Sequence, residues 1–247
     1  MASVVPPFFS TTVIVALQWN SFLNTIRKQT MNWLKYNGLS IVFLFLFIIS
    51  FIGQSITGLR EFNIEMKEDG GPQLSMGQYI SSGHFVEATF ENFESEFLQM
   101  ALFVVFTIFL YQKGSSESKD PNKENEVDKE PDPKRKGAPW PVRRGGFILA
   151  LYKNSLSIVL FLLFIFSFIG HFYGSLNHYN LEQTLKGLPT ENASGYLGHS
   201  KFWFESFQNW QSEFLSIVAI VMLSIYFRQQ GSPQSKPVDA PHSQTGE

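Results

Sequence analysis

Two carboxylates occupy equivalent places in two matching stretches. Glu96 lies in Phe90-Glu91-Asn92-Phe93-Glu94-Ser95-Glu96-Phe97-Leu98, and Glu213 in Phe207-Gln208-Asn209-Trp210-Gln211-Ser212-Glu213-Phe214-Leu215. The stretches are 117 residues apart, and each runs straight into an apolar segment. A carboxylate at the mouth of a hydrophobic helix is costly unless it is paired or protonated, so such a pair could contact an ion, a proton or a polar substrate. At helical spacing Asn92, Ser95 and Glu96 share a face, as do Asn209, Ser212 and Glu213; these six form the candidate polar site. A structural reading stands beside it. Acids near a helix N-terminus favour the helix dipole, Asn and Ser hydrogen-bond between helices, and Phe93, Phe97, Trp203, Trp210 and Phe214 suit an interfacial belt.

Comparing the two stretches acts as a filter. Glu87, Glu91 and Glu94 have Phe204, Gln208 and Gln211 as counterparts, so their charge is not part of a shared design. The histidines His84, His171, His178 and His199 have Lys201, Gln54, Glu61 and Ser82. On that basis no metal site, no cofactor and no catalytic residue is expected. The chain also lacks an HExxH, a GxSxG, a phosphate-binding loop and a dinucleotide fingerprint. With no cysteine, thiolate ligands and cysteine nucleophiles are excluded together.

The elements that must carry these residues are apolar. Leu39–Ile56 holds eighteen uncharged residues, and further apolar blocks cover Leu98–Tyr111, Leu156–Tyr173 and Leu215–Phe227. The 117-residue offset extends beyond the acidic stretch: residues 37–65 match 154–182 at 15 of 29 positions, Asn63/Asn180 and Glu65/Glu182 among them. The expectation is an all-α membrane protein of four transmembrane helices, arranged as two parallel-orientation hairpin repeats. Residues 1–30 form an N-terminal extension, interfacial or disordered. Repeat 1 covers 31–113, with spans of about 37–58 and 90–111. A charged linker follows over 114–146. Repeat 2 covers 147–230, with spans of about 152–174 and 207–228, and 231–247 is a disordered tail. Ser50 and Gly53, with Ser167 and Gly170, place small residues one turn apart for close helix packing.

Basic residues set the orientation. Ten Lys or Arg lie between Lys113 and Lys153, against two in each hairpin loop. Both termini and the linker are therefore expected in the cytoplasm. A net charge of −2 argues against nucleic acid as a partner. The expected partners are the lipid bilayer and a second copy or another membrane protein.

The segments NGLSIVFLFLF (37–47), GLREFN (58–63), SGHFVEATFENFESEFLQM (82–100), VRRGG (142–146) and SKFWFESFQNWQSEFL (200–215) resemble a family of bacterial integral membrane proteins known only as a domain of unknown function. The resemblance runs from about residue 31 to the C-terminus. It implies a bacterial cytoplasmic-membrane location and carries no activity, ligand or site residue. The functional expectation is a non-enzymatic structural or partner-binding membrane module. The alternative is a small oligomeric transporter or channel with Glu96 and Glu213 at its outer mouth.

Overall fold

The computed structural model describes the backbone of residues 11–246 and the side chains of residues 22–246. Every regular element among them is helical. The chain divides into two compact units, residues 1–60 and 61–247.

The first unit is carried by helix α1, Thr11–Glu68, whose last turns belong to the second unit. Residues 11–30, expected as an interfacial or disordered extension, are helical and continuous with the apolar run; residues 1–10 lie outside the described residues. Large side chains from Leu39 to Ile52 are mostly exposed, Phe43 by 65% and Phe45 by 61%. Polar groups inside this apolar helix bond their own backbone: the Ser55 hydroxyl donates to Phe51 O at 2.8 Å and that of Thr57 to Gly53 O at 2.8 Å. Ser50 and Gly53, chosen as packing residues, are exposed.

The second unit begins where Phe62 and Met66, on the last turns of α1, are buried, the Phe62 ring 5.8 Å from that of Tyr79 on the short helix α2, Met76–Tyr79. Helix α3, Gly83–Phe106, follows with Ser82 as its N-cap. Short turns lead to α4, Trp140–Arg144, and α5, Gly146–Lys153. Asn154 breaks the helix before α6, Ser155–Leu185. Then come α7, Ala193–Tyr196, and α8, Ser200–Tyr226. Helix α3 packs along α6, with α8 beside it. Around Leu176, Tyr196 and Phe202 an aromatic core gathers Phe168, Phe172, Tyr179 and Trp203.

The α3–α6 crossing is close because glycines line it. A Cβ on Gly174 would lie 2.4 Å from the Glu87 backbone nitrogen, and one on Gly170 would meet the Phe90 ring at 2.6 Å. Ser167 is buried on the same helix.

Two helical stretches among the described residues, not four, are long and apolar enough to cross a membrane: Phe22–Glu68 and Ser155–Leu185. The other two fall short for a physical reason. The first half of α3 carries Glu87, Glu91, Glu94 and Glu96, and the helix stops at Phe106, before the expected 111. In α8 the charges are Lys201, Glu205 and Glu213, and the helix ends at Tyr226.

Local geometry recurs at the 117-residue offset. The Asn63 side chain clamps Leu74, donating to its carbonyl at 2.9 Å and accepting from its N–H at 2.7 Å. Asn180 clamps Glu191 in the same way, at 2.9 and 2.8 Å. Gly70 and Gly187 both hold positive φ just past their helices, a position that favours glycine. Helices α2 and α7, and the starts of α3 and α8, keep the same spacing.

The tail, expected to be disordered, has defined partners. Lys236 Nζ donates to the carbonyls of Pro241, His242 and Gln244 at 3.3, 3.0 and 2.9 Å. Gly114 N donates to the Thr245 hydroxyl at 2.9 Å, and Gly246 N to Ser115 O at 3.0 Å. A single ammonium gathering three carbonyls turns a polar segment back on itself, which composition alone does not reveal.

Candidate functional site

Helical spacing builds a polar stripe on each of three helices. On α3, Glu87, Glu91 and Glu94 are four and three residues apart; on α6, His171, Ser175, His178 and Glu182 follow the same rule; on α8 Lys201 and Glu205 are one turn apart. Packing turns the stripes toward one another. Glu94, His171 and Ser175 are fully buried and Glu87 nearly so.

His171 is the centre. Its Nδ1 is 2.7 Å from Glu94 Oε2. The other Glu94 oxygen accepts from Trp210 Nε1 at 2.9 Å. On the far side of the ring His171 Nε2 lies 3.5 Å from Glu205 Oε2, yet it has no hydrogen-bond partner. One turn along α6, the Ser175 hydroxyl touches three groups: Glu87 Oε1 at 3.0 Å, Glu205 Oε2 at 2.9 Å and the Tyr196 hydroxyl at 2.7 Å. It has one proton for two carboxylates. Further out, Glu87 Oε2 bonds His178 Nδ1, and His178 Nε2 faces Glu182 at 3.3 Å. Lys201 Nζ lies 3.6 Å from Glu87, 3.6 Å from Glu182 and 3.9 Å from Glu205. Glu91 stands beside this group; one ligand atom each from Glu91, His171 and Glu205 lie within 4.8 Å of one another.

Burial of charge demands partners. For Glu87 burial alone would raise the carboxyl. The hydrogen bond and charge of His178, the Lys201 ammonium and the Ser175 hydroxyl outweigh it and hold the group at about 2, against the usual 4.5. A carboxyl depressed by folding contributes stability that is complete above its unfolded value and lost as pH falls through the folded one. Thermal unfolding of the detergent-solubilised chain should therefore weaken between pH 4.5 and about 2, and Glu87→Gln should flatten that window. An unchanged acid profile in the variant would count against this pairing. Tyr79 is pushed up to about 12 by burial and then by Glu65.

The residues chosen from the sequence lie elsewhere. Glu96 and Glu213 do meet, carboxyl to carboxyl and close enough to share a hydrogen bond, but Glu96 is exposed and Glu213 only half-buried. Asn92 is exposed and donates to Ala88 O at 2.8 Å; Asn209 repeats this with Glu205 O at 3.1 Å. Ser95 is buried and donates to Asn92 O at 2.9 Å, whereas Ser212 is exposed. Among the aromatics placed at an interface, Trp210 instead holds Glu94, and Trp203 Nε1 donates to Leu197 O at 2.8 Å. Phe93 and Phe97 are half-buried with ring centroids 6.3 Å apart, and Phe214 is exposed.

The carboxylates and histidines that the comparison of halves discarded are the ones the fold gathers. The signal available in the sequence was the i, i+4, i+7 spacing of Glu87, Glu91 and Glu94 and of His171, Ser175 and His178. Chemically, the group can bind a cation: five carboxylates gather with one lysine and three imidazoles, His84 packing its ring 5.0 Å from that of His178, and one buried imidazole nitrogen has no hydrogen bond.

No curated protein and no solved structure matches the chain. A family model described as a domain of unknown function, DUF6766, matches residues 30–247. The span agrees with the resemblance carried by the FENFESEF and FQNWQSEF segments, and on it the chain belongs to the DUF6766 family.

Proposed function

We propose that the protein is a non-enzymatic integral membrane protein of the bacterial cytoplasmic membrane that binds a cation in the polar chamber between α3, α6 and α8. The observation that carries this reading is His171 Nε2, buried with no hydrogen bond and 3.5 Å from Glu205 Oε2 among an excess of carboxylates. Ser175 adds to it, because one hydroxyl proton is set between Glu87 and Glu205. A bound cation would satisfy both deficits.

Membrane placement is supported by the outward faces. Helix α6 exposes Leu162 by 60% and Phe166 by 63%, and α8 exposes Leu215 by 64%. Such continuous apolar surface suits lipid or another membrane protein rather than water. The clamps of Asn63 and Asn180 and the matched helix starts support reading the chain as two repeats, and the ten Lys or Arg of 113–153 support putting both termini in the cytoplasm. Helices α3 and α8 then cross packed against each other, α3 also along α6, their acidic ends at the outer surface.

Binding is favoured over conduction by where the polar chain stops. From His178 to His171 it covers about 10 Å of α6 at 1.5 Å per residue. Every residue from Ile158 to Phe166 is apolar, which closes the route inward along that helix. A transporter with Glu96 and Glu213 at its mouth is therefore the weaker reading.

The binding claim is tested by thermal unfolding of the purified full chain across a series of Na⁺, K⁺, Mg²⁺, Ca²⁺, Mn²⁺ and Zn²⁺. At least one cation should stabilise the wild type by mass action and fail to stabilise Glu205→Gln. No response to any of them would overturn it. Topology has its own test, made simple by the absence of cysteine. In intact cells a membrane-impermeant maleimide should label Ala193→Cys but reach Lys134→Cys only after permeabilisation. The opposite pattern would reverse the orientation.

A further inference from the structure

We propose that the cation is a first-row divalent transition metal, held by Glu91, His171 Nε2 and Glu205, with Glu94 as the carboxylate that orients the imidazole. This rests on the cation-binding reading above and names its ligand class.

The first ground is the donor geometry. Ligand atoms of the three residues already lie within 4.8 Å of one another, and the His171 Nε2 to Glu205 Oε2 edge is 3.5 Å. Tetrahedral bonds of about 2.1 Å place neighbouring ligand atoms roughly 3.4 Å apart. The His171–Glu205 edge fits as it stands. Glu91, half-buried and one turn from Glu94 on α3, offers the third ligand atom within 4.8 Å of the other two.

The unused nitrogen is the second ground, independent of the acidic cluster. His171 is fully buried and rigidly set, its Nδ1 on Glu94 and its ring 4.9 Å from that of Phe202. Nδ1 is taken by Glu94 Oε2, and Nε2 faces Glu205 Oε2 at 3.5 Å, so a metal on Nε2 takes the place of any proton held on that edge. A metal-binding histidine ordinarily gives its other nitrogen to a carboxylate, which fixes the tautomer and strengthens the ligand. Glu94 is itself fixed by Trp210. The arrangement is thus complete one layer beyond the ligands, as a metal centre requires.

Ligand type sets the metal class. One imidazole with two carboxylates favours Zn²⁺, Co²⁺, Fe²⁺ or Mn²⁺ over Mg²⁺ and Ca²⁺, which prefer all-oxygen sites. Three protein ligands leave a position open for water. Ser175, bonded to Tyr196, reaches Glu205 Oε2 at 2.9 Å and adds a hydroxyl beside the site.

The test uses the full chain in detergent, stripped by a chelator and then titrated with Zn²⁺ alone and with Co²⁺ alone. The expected result is one Zn²⁺ per chain and visible Co²⁺ bands of a low-coordinate nitrogen–oxygen site. His171→Ala also removes the partner of buried Glu94 and endangers folding, so the deciding variants are Glu91→Gln and Glu205→Gln. Each should weaken Zn²⁺ binding at least ten-fold while helix content by circular dichroism stays unchanged. Glu94→Gln should weaken it about 10- to 100-fold through the tautomer it no longer enforces. Absence of stoichiometric Zn²⁺ in the wild type, or equal binding in Glu91→Gln and Glu205→Gln, overturns the proposal. If Mg²⁺, Ca²⁺ or an alkali ion alone stabilises the chain, the metal assignment falls and cation binding stands. If no cation acts, both fall.

Discussion

Replacing Glu94 by alanine is expected to cost about 3–5 kcal/mol of stability, the range found when one partner of a buried ionic pair is removed. Glu94 is the only carboxylate among the described residues that bonds both His171 Nδ1, at 2.7 Å, and Trp210 Nε1, at 2.9 Å. Alanine leaves His171 Nδ1 and Trp210 Nε1 without the carboxylate that holds them, and each unsatisfied buried group costs about 1–3 kcal/mol on its own. A chain of this size loses roughly 2–4 °C of melting temperature per kcal/mol, so the midpoint should fall by roughly 10 °C. Glutamine keeps an oxygen for Trp210 and should cost about half as much. Unfolding in mild detergent, followed by circular dichroism, reads both variants. An alanine variant as stable as wild type would mean that the His171–Glu94–Trp210 chain does not hold the helices together.

Gly174→Val should be as damaging by a different route. The obstacle at this position is backbone: an added Cβ sits 2.4 Å from Glu87 N and 2.9 Å from Glu87 Cα. Neither atom can swing aside, so α3 and α6 must part, and every bond between Glu87, Ser175 and His178 lengthens with them. Overpacking a tight contact costs about 1–3 kcal/mol before those lost bonds are counted. At Gly170 the obstacle is the Phe90 ring, a side chain that can turn, so Gly170→Ala should be milder. Gly77, whose Cβ would meet nothing within 4 Å, supplies the control. Recovery of monodisperse protein after detergent extraction ranks the three as Gly174→Val worst, Gly170→Ala intermediate and Gly77→Ala near wild type. Equal recovery for all three would remove the argument that glycine sets the α3–α6 distance.

Much of the local structure could be read in the chain. The apolar run at Leu39–Ile56 is helix, and Asn63 and Asn180, 117 residues apart, close loops of the same geometry. The site was less legible because the comparison of halves selects what they share. Shared residues such as Asn92/Asn209 serve each helix separately, here as bonds to the preceding turn. The buried cluster draws on positions where the halves differ: Glu87 against Phe204, Glu94 against Gln211, His171 against Gln54 and Ser175 against Gly58. Only the α3–α6 pairing brings those residues together, and no spacing within one segment announces which helix will be the neighbour. Composition also misjudged the tail, where three carbonyls on one lysine outweigh a polar, proline-rich sequence.

The asparagine clamps have a consequence in time. Each shuts a loop against a residue eleven positions away, a closure that takes about 10–100 ns. Glu94 must wait for His171, 77 residues later in the chain. At a synthesis rate of about 5–20 residues per second that is roughly 4–15 s. During translation the first loop is therefore closed, and α3 formed, seconds before the histidine it is built to hold has been made. For that interval the chain carries its acidic stripe bare, and whatever keeps α3 soluble or shielded until α6 arrives governs how much protein is assembled correctly.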